Sequence, residues 1–450
     1  MRERYKVVSL FSGAGGLDLG FELVGDYRIL LASDIKGFMA RTYEVNFKKW
    51  RGYPQIVQGD VANLHFEGLE ADVVIGGPPC QDFSILRAST AERSGITVRR
   101  GRLYSYFVKA LAILKPRAFL FENVPGLVTA NEGIAYKTIL DDLANLNLRW
   151  DEVRSSLGEV SDCEVPSYHI IFAKVVNAAH FGVPQNRRRL IIVGLRSDLV
   201  KKGSEPHLTF REILEEGKSI FRKSPLTPIE AFEGRPFSEL QDVYEQVMRE
   251  YDGIWLDVGS AEAKRWKKEV WDKLTFDVVK DYMTIHSLKE ADLEHAVKAH
   301  RQVLAELKYL GTSVSSLKLA DGSCLPPAEP PEVKEKVRMI PPGENFAFTV
   351  GTRWELRKKG VSQIYRRLHP LKPSYTVVGY GGGGMAMYHY ARSRSALSSR
   401  EKARLQTFPD SFTFVGSYSN MKAEIGEAVP PLLANRLALA LSATLRTLEN

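Results

Sequence analysis

Cysteine is scarce in this chain: three residues in 450, Cys80, Cys163 and Cys324, stand far apart and in no CxxC spacing. An odd, scattered set argues against a disulfide framework and for a reducing cytoplasm. Long apolar runs are missing too, since no window approaches the roughly eighteen apolar residues of a spanning helix. The basic N-terminus MRERYKVVSLFSGAGG has too short an apolar stretch for a secretory signal. Neither membrane association nor a metal centre is expected.

What the chain does have is 44% apolar residues over a length that suits two domains. A formal net charge of +8 and a pI near 9.1 fit a polyanionic partner. They fit a basic enzyme kept soluble by self-repulsion equally well, so charge alone decides nothing.

The first two hundred residues alternate short apolar runs with helical patterns, the signature of βαβ units and a parallel sheet. Strands are expected at Lys6 to Leu10, Ile29 to Ser33, Val73 to Ile75, Ala118 to Phe121 and Leu190 to Val193. From about Lys201 the pattern changes to polar, amphipathic helices carrying Trp255, Trp266 and Trp271. Ser287 with Glu290 predicts a capping box, followed by Leu293, Val297, His300, Leu304 and Leu307 at helical spacing, His300 being a core-edge residue. Six prolines between Cys324 and Pro342 predict a linker or surface loop. The apolar pattern from Val429 to Leu445 predicts a helix that returns to cover the first sheet. The expected organisation is a first domain over 1–197, completed by about 425–450, and a second domain with a hinge over 198–424.

Ligands of open α/β sheets gather at the carboxyl ends of strands. The first such turn, Phe11-Ser12-Gly13-Ala14-Gly15-Gly16, lies between a strand and a helix, where glycine lets backbone approach a ligand. A dinucleotide fingerprint needs glycine at position 18, which is Asp18. Asp34 follows Gly13 by 21 residues, the spacing at which a carboxylate reaches ribose hydroxyls. Asp60 ends another apolar stretch. Each acid also suits a plain helix cap.

The segment Gly76-Gly77-Pro78-Pro79-Cys80-Gln81-Asp82-Phe83-Ser84 follows the strand that ends at Ile75. A lone cysteine is more often a small buried hydrophobe. Here two prolines stiffen the approach and the thiol stands at a strand end. A Pro-Pro followed by an aromatic residue suits methylation of an amine, which attacks by itself; Cys in that place implies a carbon acceptor that needs covalent activation. Carbon 5 of cytosine is such an acceptor, because a thiolate adding at carbon 6 turns carbon 5 into an enamine carbon. Charge then builds on the N3 and O2 edge of the ring. Glu122 in Phe121-Glu122-Asn123-Val124 offers a half-enclosed carboxyl to share a proton with N3. Arg187 and Arg189, in Gln185-Asn186-Arg187-Arg188-Arg189, share one face at extended spacing.

With these blocks in hand, the chain resembles the DNA cytosine-5 methyltransferases. The similarity covers residues 6 to about 195 and about 338 to 445, through FSGAGG, GGPPCQDFS, FENVPGL, FGVPQNRRRL, RRLHPLKPSYTVVG, the run Arg404 to Asp410, and IGEAVPP. The resemblance implies an α/β Rossmann-like fold dependent on S-adenosylmethionine, with a smaller inserted recognition domain. Phe11, Ser12, Gly13, Gly15, Gly16, Leu17, Asp34, Ile35, Asp60, Val61, Pro79, Glu427 and Ala428 would bind the cofactor. Cys80 would be the nucleophile, Glu122 would hold the N3 and amino edge, and Arg187 and Arg189 would serve O2. Glu427 stands where the family usually has Asn, and His389-Tyr390 replaces His-Pro.

A stacked base cannot present carbon 6 to a thiol, so the nucleotide must be flipped out of the duplex. Gln81, Ser84, Arg99, Arg100, Thr376 and Gly382 are the expected DNA contacts. Arg87, Arg93 and Arg102 extend the basic loop after Cys80, and Gly381 to Gly384 let backbone approach DNA. Lys264-Arg265-Trp266-Lys267-Lys268 reads as a phosphate contact or a solvated helix face. The expected protein is a cytoplasmic monomer acting on double-stranded DNA within a restriction-modification system, beside a separate endonuclease. A transfer-RNA methyltransferase and an inactive DNA-binding homologue are the alternatives.

Overall fold

The structure is a computed structural model, which describes residues 3–48, 54–66, 68–79, 103–155, 167–216, 219–356, 364–381 and 387–449. Cys80, Gln81, Ser84, Arg87, Arg93, Arg99, Arg100, Arg102, Cys163 and Gly382 lie outside the described residues. Contacts divide the chain into two compact units, the first Met1–Ala178, Arg188–Gly217 and Ala428–Asn450, the second Ala179–Arg187 and Lys218–Glu427. These bounds differ from a cut at 197. Residues 179–187 group with the second unit, and the helix Pro206–Glu216 groups with the first.

The first unit holds a seven-stranded sheet among its described residues, in the order β3-β2-β1-β4-β5-β7-β6. Strands β1 (Tyr5–Leu10), β2 (Tyr27–Asp34), β3 (Gln55–Gln58), β4 (Val73–Gly76) and β5 (Ala118–Asn123) run parallel. Strands β6 (Tyr168–Asn177) and β7 (Arg188–Arg196) join antiparallel. Parallel neighbours need crossovers, and helices α1 (Gly16–Val24), α2 (Gly37–Phe47) and α3 (Tyr104–Leu114) occupy these connections, while α4 (Ile134–Asn145) links β5 to β6. Strand order reverses at β1, which lies between β2 and β4, so the crevice for a ligand opens beyond the carboxyl ends of β1 and β4.

Strands β4 and β5 are buried throughout, which is why they read as unbroken apolar runs instead of alternating ones. Phe107 of α3 packs edge-on against Phe119 and Phe121 of β5. The expected carboxyl-terminal helix spans Pro431–Glu449 and packs on α1. Gly20 permits that closeness, since a Cβ there would sit 2.3 Å from the Ala434 Cβ. By length and composition the stretch Tyr418–Glu449 could cross a membrane, yet 83% of its most apolar window is buried.

Apart from one long helix, Glu290–Glu306, the second unit is built of short helices and loops, with carbonyls gathered by buried arginines. Arg367 donates to the carbonyls of Ile340, Val337 and Ala391. Arg404 pairs with Asp410 at 2.5 Å and donates to the carbonyls of Ala231 and Thr312. A planar fork with five donors can satisfy several such acceptors at once, which lets irregular backbone be buried. His300 is a core residue, its Nδ1 lying 2.7 Å from Glu230 Oε1.

One expectation fails in this unit, and two hold only in part. Ser287 does not cap the long helix: it ends the preceding one at φ 51, and the helix Glu290–Glu306 starts after Lys289 without a side-chain cap. The proline-rich stretch is no mere linker. Pro331 opens a helix, Pro331–Val337, because proline is preorganised for a first helical position, and Val337 and Ile340 enter a core. Trp266 is 2% exposed among Trp255, Trp271 and Phe348, so the basic-aromatic run is a core tryptophan flanked by solvated cations.

Candidate active site

Beyond β1 the backbone turns left-handed at Phe11 (φ 56), Gly13 (φ 56) and Gly15 (φ 93), and α1 begins at Gly16. Phe11 holds this conformation without glycine's freedom, at a cost of roughly 1–3 kcal/mol. A Cβ on Gly15 would lie 2.6 Å from the Phe47 ring and 2.9 Å from the Tyr43 ring of α2. A Cβ on Gly13 would meet nothing within 4 Å. One side of the loop is therefore packed against aromatic rings and the other faces open space, as a ligand cradle requires.

Asp34, at the end of β2, fixes this loop. Its Oδ2 accepts from Gly13 N at 2.9 Å and its Oδ1 from Lys36 N at 2.8 Å. Ser12 adds two donations to the Ser33 carbonyl, from N at 2.9 Å and Oγ at 3.2 Å. Ile35 is 64% exposed beside the loop, unusual for so large a hydrophobe. Asp60 is exposed and accepts from Ala62 N, while Val61 shares an apolar cluster with Phe11 and Tyr106. Leu17 is buried in α1. Asp18, where a dinucleotide-binding glycine would stand, is fully buried and accepts from Tyr43 Oη at 2.8 Å and Ser9 Oγ at 3.0 Å. Burial pushes its carboxyl up to about 6.

At the end of β4 two glycines do separate work. A Cβ on Gly76 would come within 2.4 Å of the Leu10 carbonyl oxygen, so glycine allows β4 its approach to β1. A Cβ on Gly77 would come within 2.7 Å of Glu122 Oε2, so glycine leaves room for that carboxylate. The Pro78 carbonyl accepts from Asn123 Nδ2 at 3.2 Å, and Pro79, exposed, is the residue bonded to Cys80. Glu122 of β5 pairs with Arg189 of β7, Oε1 to Nε at 2.8 Å. Its Oε2 has no hydrogen bond among the described residues and borders Gly77. The arrangement is a nearly buried carboxylate, oriented by a guanidinium, with one oxygen open beside the approach to Cys80.

Arg187 and Arg189 do not share a strand face. Ladder pairing of β7 starts at Arg188, and Gln185 bridges Ser374 instead. Fully buried in the second unit, Arg187 donates to the carbonyls of Val377 (3.0 Å) and Gly426 (2.9 Å). Gln185 accepts from Val377 N at 2.8 Å and donates to Gln406 Oε1 at 2.8 Å. Thr376 is tied to the Asn186 carbonyl through Oγ1. Gly426 carries no side chain because a Cβ would lie 2.2 Å from Gly379 N. Glu427, exposed, ends the helix Tyr418–Glu427 beside Gly379, and Ala428 begins the last segment of the first unit. Gly77, Asn123 and Gln185 were the residues missed. Each lies inside a quoted block, yet its partner is remote in sequence.

Comparison with known proteins gives a consistent picture. The family model described as C-5 cytosine-specific DNA methylase matches residues 5–443. The DNA (cytosine-5-)-methyltransferase M.ApeKI of Aeropyrum pernix is 50% identical over 466 residues, covering 98% of this chain and 99% of that protein. The Type II methyltransferase M.NgoFVII of Neisseria gonorrhoeae is 29% identical over 430 residues, covering 95% and 83%. Among solved structures, one described as a DNA modification methyltransferase encoded within an E. coli prophage superposes with a TM-score of 0.58 at 22% identity, covering 98% of this chain and 99% of the other, a likeness of fold.

Proposed function

Because the chain belongs to the C-5 cytosine-specific DNA methylases, we propose that it methylates carbon 5 of a cytosine flipped out of duplex DNA, with S-adenosylmethionine as donor and Cys80 as nucleophile. The observation that carries this reading is the Glu122–Arg189 pair beside Gly77, at the strand end that leads to Cys80.

The residues of the first unit fit the cofactor. Gly13 faces open space, Asp60 presents an exposed carboxylate, and Ile35 an exposed apolar side chain suited to a purine face. Phe11, Ser12, Gly15, Gly16, Leu17, Asp34, Val61 and Pro79 complete the loop ends that would hold it, with Glu427 and Ala428 contributing from the block IGEAVPP. When bound, S-adenosylmethionine supplies an electrophilic methyl on a sulfonium. The chain's own groups make the ring a nucleophile. The Cys80 thiolate forms a bond to carbon 6, the 5,6 double bond opens toward carbon 5, and charge spreads to N3 and O2. Glu122 Oε2 holds a proton at N3, and Arg189 supports O2 while keeping Glu122 in place. After transfer, the carbon 5 proton passes to water, its bonding pair re-forms the 5,6 double bond, and Cys80 leaves carbon 6 as a thiolate. Arg187 acts at one remove, through the backbone it grips.

The second unit is where the target sequence would be read, with Thr376 and Gly382 at the DNA and Gln81, Ser84, Arg99 and Arg100 following the nucleophile. The Type II names of two relatives support action within a restriction-modification system; in this reading the enzyme would work as a cytoplasmic monomer beside a separate endonuclease of the same target. Bisulfite sequencing of plasmid from cells expressing the protein tests the reading. Protection of one cytosine within one recurring sequence is expected. Methylated transfer RNA with unprotected DNA would move the substrate to RNA, and no methylation of either would leave a binding homologue.

A further inference from the structure

The buried arginines of the second unit are consumed by protein acceptors, and Arg366 is the contrast. Half-buried next to Arg367, it lies over the Tyr375 ring with Cζ 4.5 Å from the centroid. Among the described residues its guanidinium has no carboxylate or carbonyl partner, whereas Arg367 beside it is fully committed. A half-buried cation without an acceptor is costly unless something outside the protein completes it. The place of the guanidinium over the ring leaves its fork of donors without an acceptor among the described residues, and such a fork suits a flat two-acceptor edge.

A complementary acceptor stands on the neighbouring backbone. Arg367 N donates to the Glu344 carbonyl at 2.9 Å and Gly343 N to the Arg367 carbonyl at 3.2 Å, so segments 343–344 and 366–367 lie side by side. Tyr375 Oη donates to the Gly343 carbonyl at 3.1 Å, tying the aromatic platform to the same pair. The Glu344 carboxylate has no hydrogen bond and no ion pair within 4 Å among the described residues; Arg265 and Lys372 act on it only through space, and burial pushes it up. Glu344 and Arg366 form no ion pair with each other. Among the described residues neither side chain has a hydrogen-bond or ion-pair partner, and both act on the one aromatic ring that immediately precedes Thr376.

We infer that Arg366 and Glu344, set about Tyr375, are specificity-determining residues that read base edges of the target. Arg366 donates both arms of its fork to O6 and N7 of a guanine. Glu344 accepts from the N4 amino group of a cytosine. Both edges are displayed in the major groove, and these are the pairings that donor and acceptor geometry favours there. The inference rests on the proposed action on DNA, and it deepens that reading by assigning bases to residues.

The test uses the full-length enzyme and a DNA pool with randomised sequence around a cytosine, methylated and then sequenced after bisulfite treatment. The wild-type profile comes first: without DNA methylation there, the functional reading itself fails. Given a wild-type motif, R366K should lose the preference for guanine at one position while keeping it elsewhere, and E344Q should relax a cytosine. Replacing that guanine by 7-deazaguanine should lower wild-type kcat/KM roughly tenfold or more and leave R366K unchanged. This analogue measurement needs no variant to fold. A wild-type rate insensitive to 7-deazaguanine at every guanine of the motif overturns the inference. So does an R366K enzyme that is weaker by one factor on all sequences, which is the mark of a phosphate contact.

Discussion

Arg189 Nε lies 2.8 Å from Glu122 Oε1, across the antiparallel pair of β5 and β7. In the register Glu122 faces Ile191, so the partners are diagonal neighbours on one face of the sheet. Both side chains are less than 15% exposed, and a charge-assisted hydrogen bond in such a place orients as well as stabilises. Fixing Oε1 on Arg189 leaves Oε2 aimed past Gly77.

Glu122→Gln keeps this shape and removes the proton. Single-turnover methyl transfer should slow by about 10²- to 10⁴-fold, while DNA affinity changes far less. Arg189→Ala should slow the same step, and the double variant should lose less than the product of the two, because each single change already breaks the shared pair. An unchanged single-turnover rate in Glu122→Gln would return the carboxylate to a structural role.

Gly77→Ala probes the same carboxylate from the other side. The added Cβ would meet Glu122 Oε2 at 2.7 Å, and something must shift. Displacing a catalytic group by about 1 Å can cost on the order of 100-fold in rate. Isothermal titration should show cofactor affinity intact and rapid quench a slowed transfer. If the two fell together, the glycine would be serving the cofactor loop.

Cys80→Ser should abolish transfer while DNA and cofactor still bind, since a hydroxyl of similar size is a far weaker nucleophile. DNA with 5-fluorocytosine at the target should trap wild-type enzyme, because fluorine cannot leave carbon 5 as a proton does. Mass spectrometry should then find the adduct on the Cys80 peptide. Robust turnover by the serine variant would sink the covalent route.

What could be read in the sequence follows from where the physics is local. Strands β4 and β5 are buried on both faces, so VVIG and AFLF stand out as apolar runs. Strand β6 was passed over: it is bulged between Ile170 and Phe172, and its burial alternates irregularly. The strand-end motifs marked the carboxyl edge of the sheet because each carries unusual residues in a fixed order. Arg187 was misplaced because extended spacing was carried back past Arg188, where the chain leaves the sheet. No pattern within one segment shows that a guanidinium is spent on carbonyls 190 and 239 positions away. The capping box at Ser287 failed for a related reason: two helices meet there, and the left-handed end of the first takes the serine.

The last prediction concerns Asp18, whose carboxyl lies in the core behind the glycine loop. Burial favours its neutral form and raises it to about 6, against 3.8 ordinarily. Between these values the folded chain holds a proton that the unfolded chain has lost. Stability from this group is therefore fully present below about pH 3.8 and falls as pH rises toward 6, above which the penalty stays constant. Asp18→Asn removes the titration and can still accept from Tyr43 or Ser9. Other carboxylates titrate in both proteins, so the informative quantity is the difference between them. Urea unfolding at a series of pH values should show the asparagine variant gaining on wild type between about pH 4 and 6, by on the order of 2–3 kcal/mol at most. Because Asp18 holds Tyr43, and Tyr43 with Phe47 backs Gly15, cofactor affinity should follow the same window in wild type and be flatter in the variant. A difference in stability that does not depend on pH would mean that Asp18 stays ionised in the core, held by its two hydroxyl donors.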